Sequence, residues 1–219
     1  MIMSHDNELK NAVLAELKWE PSVEASHIGV TTSDGVVTLM GHVRSYAEKY
    51  AAENATGRVK GVKAVAEELE VRLPFSAKYG DEEIAAAALN RLAWNSAVPK
   101  DAVKVTVEKG WITLSGMVEW NYQKTSAVND LRWLSGVVGV SNNITITPRA
   151  NASDISNDIN HALHRSWFHD DPQTVFVSAV GGNVKLTGTV DSWFDRQTAA
   201  ETAWAAPGAT SVQNDIRVS

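Results

Sequence analysis

The chain has 219 residues, a net charge of −6, no cysteine, and 44% hydrophobic against 21% charged residues. That balance suits a soluble globular protein, excludes disulfides, thiolate metal sites and a cysteine nucleophile, and leaves no apolar run near the roughly 20 residues of a membrane span. Residues 6–73, 79–148 and 150–219 carry −3, −1 and −4 (8 basic and 11 acidic, 6 and 7, 4 and 8), so no unit is basic, nucleic acid is not the expected partner short of a local basic patch, and charge attraction to an anionic membrane is weak.

Asp6, Glu8 and Lys10 interrupt the first stretch, which therefore does not read as an export leader, and the chain is expected in the cytoplasm. The same stretch predicts an amphipathic helix, with Leu9, Val13, Leu14 and Leu17 on one face and Asp6 and Glu8 at its positive end. "HIGVTTSDG" and "VVTLMGHV" follow as a β-hairpin, their apolar residues alternating on either side of the Asp34-Gly35 turn. After Val43 a second helix presents Ala52, Thr56 and Val59, ends at Gly61 as a C-cap, and leads into a last strand, "AVAEELEV".

The order then repeats. Asp81, Glu82 and Glu83 open a helix with Ile84, Ala88, Leu89 and Leu92 on its inner face; "VKVTVEKG" and "WITLSGMV" form a hairpin through Lys109-Gly110. A helix with Ala127, Leu131 and Leu134 ends at Gly136, and "GVSNNITI" is the last strand. The third copy has Ser153 and Asp154 before a helix bearing Ile155, Ile159 and Leu163, then "VFVSAVGG", "NVKLTGTV", a helix with Ala199, Ala203 and Ala206, Gly208, and "TSVQNDIRV". The glycines at the heart of the second strands, Gly41, Gly116 and Gly188, stand 116 − 41 = 75 and 188 − 116 = 72 residues apart. A period of that length means three small units rather than one large domain.

The expected fold is therefore α+β: three tandem two-layer αββαβ units at 6–73, 79–148 and 152–219. The hairpin is antiparallel, and the last strand arrives by a helical crossover and runs parallel to the second. Both helices then cover one face of a three-stranded mixed sheet. The open faces remain to pack on one another or on a partner.

Four features recur in order. They are G-x-V after the second strand (Gly41 and Val43, Gly116 and Val118, Gly188 and Val190), a basic residue six positions on (Lys49, Lys124, Arg196), G-V before the last strand, and V-x-N-x-I within it. All three units thereby resemble the BON domain family. The first unit departs with Glu67 in place of Asn142 and Asn214, and the third with Ala209 in place of Val62 and Val137. The resemblance implies a non-catalytic bacterial module of envelope and osmotic-stress proteins that binds phospholipid surfaces.

No G-x-S-x-G, Walker loop or dinucleotide fingerprint occurs, so no catalytic or cofactor-binding residue is assigned. "HALHRSWFHDD" brings His161, His164 and His169 close in sequence to Asp170 and Asp171. Two histidines at i and i+3 share a helix face, yet a solvated helix end is the preferred reading and no metal site is assigned. Tryptophan is abundant, with 8 residues. Trp19 and Trp94 end the first helices, with Trp167 one position off register, while Trp120 and Trp193 start the second ones. They either seal the small cores, join units or chains, or enter a lipid headgroup layer. Trp111 follows a hairpin glycine and is the foremost surface candidate; with Trp120 and Trp193 it makes up the candidate interaction set. The expected protein is a binding or scaffold module at a phospholipid surface, peripheral to the membrane, that also self-associates. A self-assembling structural protein is the alternative, and a small-ion or metabolite sensor a second one.

Overall fold

Helix formation starts from spacing. Leu9, Val13 and Leu17 recur every fourth position, and all three are buried on the inner face of α1 (Ile2–Trp19). The computed structural model describes residues 2–148, 154–165 and 175–218. In unit one α1 is followed by β1 (Ile28–Ser33), β2 (Val36–Val43), α2 (Tyr46–Gly57) and β3 (Ala64–Val71). Unit two repeats this as α3 (Asp81–Trp94), β4 (Val103–Glu108), β5 (Trp111–Val118), α4 (Asn121–Arg132) and β6 (Gly139–Ile146). Unit three gives α5 (Ile155–Arg165), β7 (Val175–Val180), β8 (Asn183–Val190), α6 (Trp193–Trp204) and β9 (Ser211–Val218).

Each unit has its own three-stranded sheet with the second strand in the centre. β1 and β2 pair antiparallel, while β2 and β3 pair parallel, with Val37 opposite Val65 and Val43 opposite Val71; the other two sheets keep the same register. This is the expected α+β architecture. Val37, Leu39 and Val43 point into the layer beneath the helices and are fully buried, as are Ile112, Leu114 and Val118. Burial of each such side chain stabilises its unit by roughly 1.5–3 kcal/mol, which matters for sheets this small. Strand alternation sends Thr38, Met40 and His42 to the open face.

The helices differ from expectation in three places. α1 starts at Ile2, so Asp6 and Glu8 fall beyond its first turn. Leu89 is 54% exposed, because Ile84, Ala88 and Leu92 already fill the α3 seam. The second helices stop at Gly57, Arg132 and Trp204, before the glycines read as C-caps. Gly61, Gly136 and Gly208 instead sit at φ 92°, 88° and 92° in the turn that delivers the chain to the last strand.

Local bonds explain the starts. Ser45 and Ser192 accept from the amides of Glu48 and Asp195 to cap α2 and α6. The α4 start lacks such a serine; Gln123 reaches back to accept from the amides of Glu119 and Trp120, both at 3.0 Å. The Asp81 carboxylate crosses from the start of α3 to the hairpin turn, accepting from the amides of Lys109 and Gly110, each at 2.8 Å.

Candidate functional site

The repeated glycines lie where the first strand enters the sheet. Gly41 is at φ 119° and pairs with Ile28; a Cβ there would stand 2.1 Å from the His27 carbonyl oxygen. Gly116 repeats this at φ 133°, where a Cβ would stand 2.0 Å from the Ala102 carbonyl oxygen, and Gly188 shares the conformation at φ 130°. Only glycine leaves room for that carbonyl without strain. Val43, Val118 and Val190, two positions on, are buried beneath the second helices.

The basic position also holds the fold together. Lys49 Nζ donates to the Leu69 carbonyl at 2.9 Å. Arg196 donates to the carbonyls of Ile216 (2.9 Å) and Asn214 (2.6 Å), so a cation on helix two ties down the last strand. The asparagine answers from the strand: Asn214 donates to the Arg196 carbonyl at 2.7 Å and accepts from the Ile216 amide. Asn142 makes the same pair of bonds to the Lys124 carbonyl and the Ile144 amide. Lys124 itself is held below the usual lysine range by burial.

The three candidate tryptophans sit at different elements. Trp111 is 47% exposed on the open face of its sheet, where its indole N–H donates to Ser141 Oγ at 2.9 Å and its ring covers Gly139. Trp120 is half-buried at the start of α4, at the opposite end of β5 from Trp111. Trp193 opens α6, its edge against Gly57 of α2 and the Arg196 guanidinium 4.9 Å above its ring. Trp19 and Trp94, at the ends of α1 and α3, are 82% and 91% exposed and seal no core. Trp167 lies outside the described residues, as do His169, Asp170 and Asp171. His161 and His164 are both exposed on α5, and no group of three metal-ligating side chains occurs among the described residues.

Residues beyond the candidate tryptophans also join the units. Tyr46 of α2 and Trp204 of α6 both pack against the core of unit two. The Arg132 guanidinium lies 3.1 Å from the centre of the Tyr50 ring, and its Nε is buried with no acceptor among the described residues. Burial raises the Tyr46 phenol above its ordinary range, with Arg132 drawing it the other way. Beside this junction a cavity of about 430 Å³ opens between α2 and α6, lined by Tyr50, Glu53, Arg58, Trp193, Phe194 and Glu201 among others. Arg58 is already paired with Glu16 and Glu20 at 2.9 and 3.0 Å. The outward tyrosines at i and i+4 on α2 were the one sequence signal for this contact.

A family model for the BON domain matches residues 5–72, 80–148 and 151–219. The chain belongs to the BON domain family. It is 29% identical over 143 residues to osmotically-inducible protein Y of Escherichia coli strain K12, covering 64% of this chain and 71% of that protein. Among solved structures it is similar to CdsD, a structural protein of the type III secretion system of Chlamydia trachomatis, at 18% identity, with TM-score 0.27 and 97% and 92% of the two chains covered. A second structure, of the CdsD C-terminal domain, matches at 18% identity and TM-score 0.27 over 95% and 96%.

Within this BON family chain the family's residues therefore build the scaffold. The departure in the first BON unit is legible in the same terms: Glu67 replaces the asparagine and pairs with Lys49 at 3.5 Å, exchanging a two-bond amide bridge for an ion pair. Desolvation holds the Glu67 carboxyl above its usual range, Lys49 pulling against it. Among the described residues no helix is long and apolar enough to cross a membrane.

Proposed function

We propose that this chain is a non-catalytic, stress-related binding protein that associates with phospholipid surfaces through exposed aromatic side chains. The observation that carries the reading is the placement of Trp19 and Trp94. Both end the first helix of their BON unit and both stand in solvent, at 82% and 91% exposure. Indole rings are stable at the headgroup level, where the ring is dehydrated and its N–H stays bonded. With a net charge of −6 the chain gains nothing from an anionic surface, so zwitterionic lipid is the expected partner. The osmotically-inducible relative supports the stress context.

Flotation with phosphatidylcholine vesicles tests this. The chain floats, and a Trp19→Ser, Trp94→Ser double variant, which removes no buried side chain, stays at the bottom with an unchanged melting temperature. A chain that fails to float, or a double variant that floats as well as the parent, overturns the reading. Self-association is a second reading, favoured by Phe176 and Val180, which stand 60% and 80% exposed on the open face of unit three. Light scattering on the same sample separates the two, since self-association gives a large particle without vesicles.

A further inference from the structure

Two histidines of one hairpin, 42 − 27 = 15 positions apart and just beyond the Ile28–Gly41 pair, meet at one end of the first sheet. His27 closes the short turn before β1, and His42 sits next to last on β2, on the open face. Their ring centres are 4.6 Å apart and their planes tilted by 44°. We propose that His27 and His42 form a two-imidazole site for a borderline divalent cation of the Zn²⁺, Ni²⁺ or Cu²⁺ class.

The spacing fits shared coordination. With a metal–nitrogen bond of about 2.0–2.1 Å, the ring centre lies about 3.2 Å from the metal, so two imidazoles at right angles have centres about 4.5 Å apart and at the tetrahedral angle about 5.2 Å. The observed 4.6 Å falls within that interval. A tilted pair with no bond between its rings also leaves both sets of lone pairs uncommitted to each other.

The surroundings orient His27. Ser26 Oγ donates to Glu24 Oε1 at 2.8 Å, which turns the hydroxyl's lone pairs toward His27 Nδ1, 3.4 Å away. With that hydroxyl as acceptor, the favoured tautomer keeps the proton on Nδ1 and leaves the Nε2 lone pair for a metal, the orienting role of outer-shell acceptors at metal sites. His42 is placed by the central strand, and the His27 carbonyl is packed against Gly41, so the two Cα positions are set by the sheet itself. Glu70 is the register partner of His42 on β3, its Oε2 held by Arg72 at 2.7 Å. Since no third ligand completes a set among the described residues, water fills the remaining positions, and imidazole selects for the later transition metals over Mg²⁺ and Ca²⁺.

Titration calorimetry of the untagged, chelator-stripped full chain with ZnCl₂ and with NiCl₂ tests the site. One equivalent binds, and either His27→Gln or His42→Gln weakens it by about tenfold or more. His161→Gln, His164→Gln on α5 leaves it within about twofold. Substoichiometric Ni²⁺ broadens the ring-proton resonances of His27 and His42 before those of other histidines. Absence of binding, binding that survives loss of either His27 or His42, or binding lost with His161 and His164 overturns the proposal. Both glutamine variants replace partly or fully exposed side chains, so their folding is confirmed by unchanged thermal unfolding.

Discussion

Gly41→Ala is the sharpest test of how the repeat is built. The new methyl would sit 2.1 Å from the His27 carbonyl oxygen, about 1 Å inside contact, and the oxygen belongs to backbone that cannot rotate away. Alanine at φ 119° adds conformational strain of about 1–3 kcal/mol, and the overlap adds a further 1–3 kcal/mol or so as β1 is pushed off β2. The sum, roughly 4 kcal/mol, is a large share of the stability of a unit this size. Gly29→Ala is the control in the same hairpin. Its Cβ would stand 3.0 Å from Met40 Cγ, on a flexible and exposed side chain that moves at little cost, and 3.7 Å from the Met40 carbonyl oxygen, an ordinary contact. Guanidinium unfolding combined with amide exchange at Val37 and Leu39 reads unit one separately from its neighbours. Gly41→Ala accelerates exchange there by several hundredfold or more, and Gly29→Ala stays within about threefold. If the two variants exchange alike, the carbonyl contact is not what requires the glycine.

Further outcomes follow from the ties between helix and strand. Glu67 has a folded-state acidity weakened by desolvation, so the folded chain binds its proton more tightly than the unfolded chain. The stability this contributes is complete below the ordinary glutamate value of 4.5 and is lost as pH rises through the higher folded value. Glu67→Gln is therefore more stable than the parent at neutral pH and equal to it at low pH; a difference that persists unchanged across thermal melts from acid to neutral would contradict this. Asp81→Ala removes the acceptor of two hairpin-turn amides and costs unit two about 1–3 kcal/mol in denaturant titration, with Gly110 exchange the first to accelerate.

Most of each unit was legible in the sequence. Hydrophobic period, turn glycines and a 75- and 72-residue recurrence specify helix, hairpin, helix and strand three times, because period and register are local properties of the chain. The helix ends were misplaced where a glycine looked like a cap. A positive φ is demanded equally by a helix end and by the turn four residues later, and only the folded chain distinguishes them. The tryptophans were harder still. Trp19 and Trp94 carry the helix-one register yet project into solvent, whereas Trp204 packs on the core of a different unit.

Sequence alone thus determined the family, the three-fold repetition and the strand pairing within each unit, since those rest on contacts between residues less than about 75 positions apart that recur as patterns. Tertiary structure decided everything that joins positions with no shared pattern. The stacking of Arg132 on Tyr50 and the seating of Trp204 on unit two arise from chain segments of different units that approach only once the sheets are formed. Such contacts depend on where surfaces come to lie rather than on any repeat, so they leave no period to read.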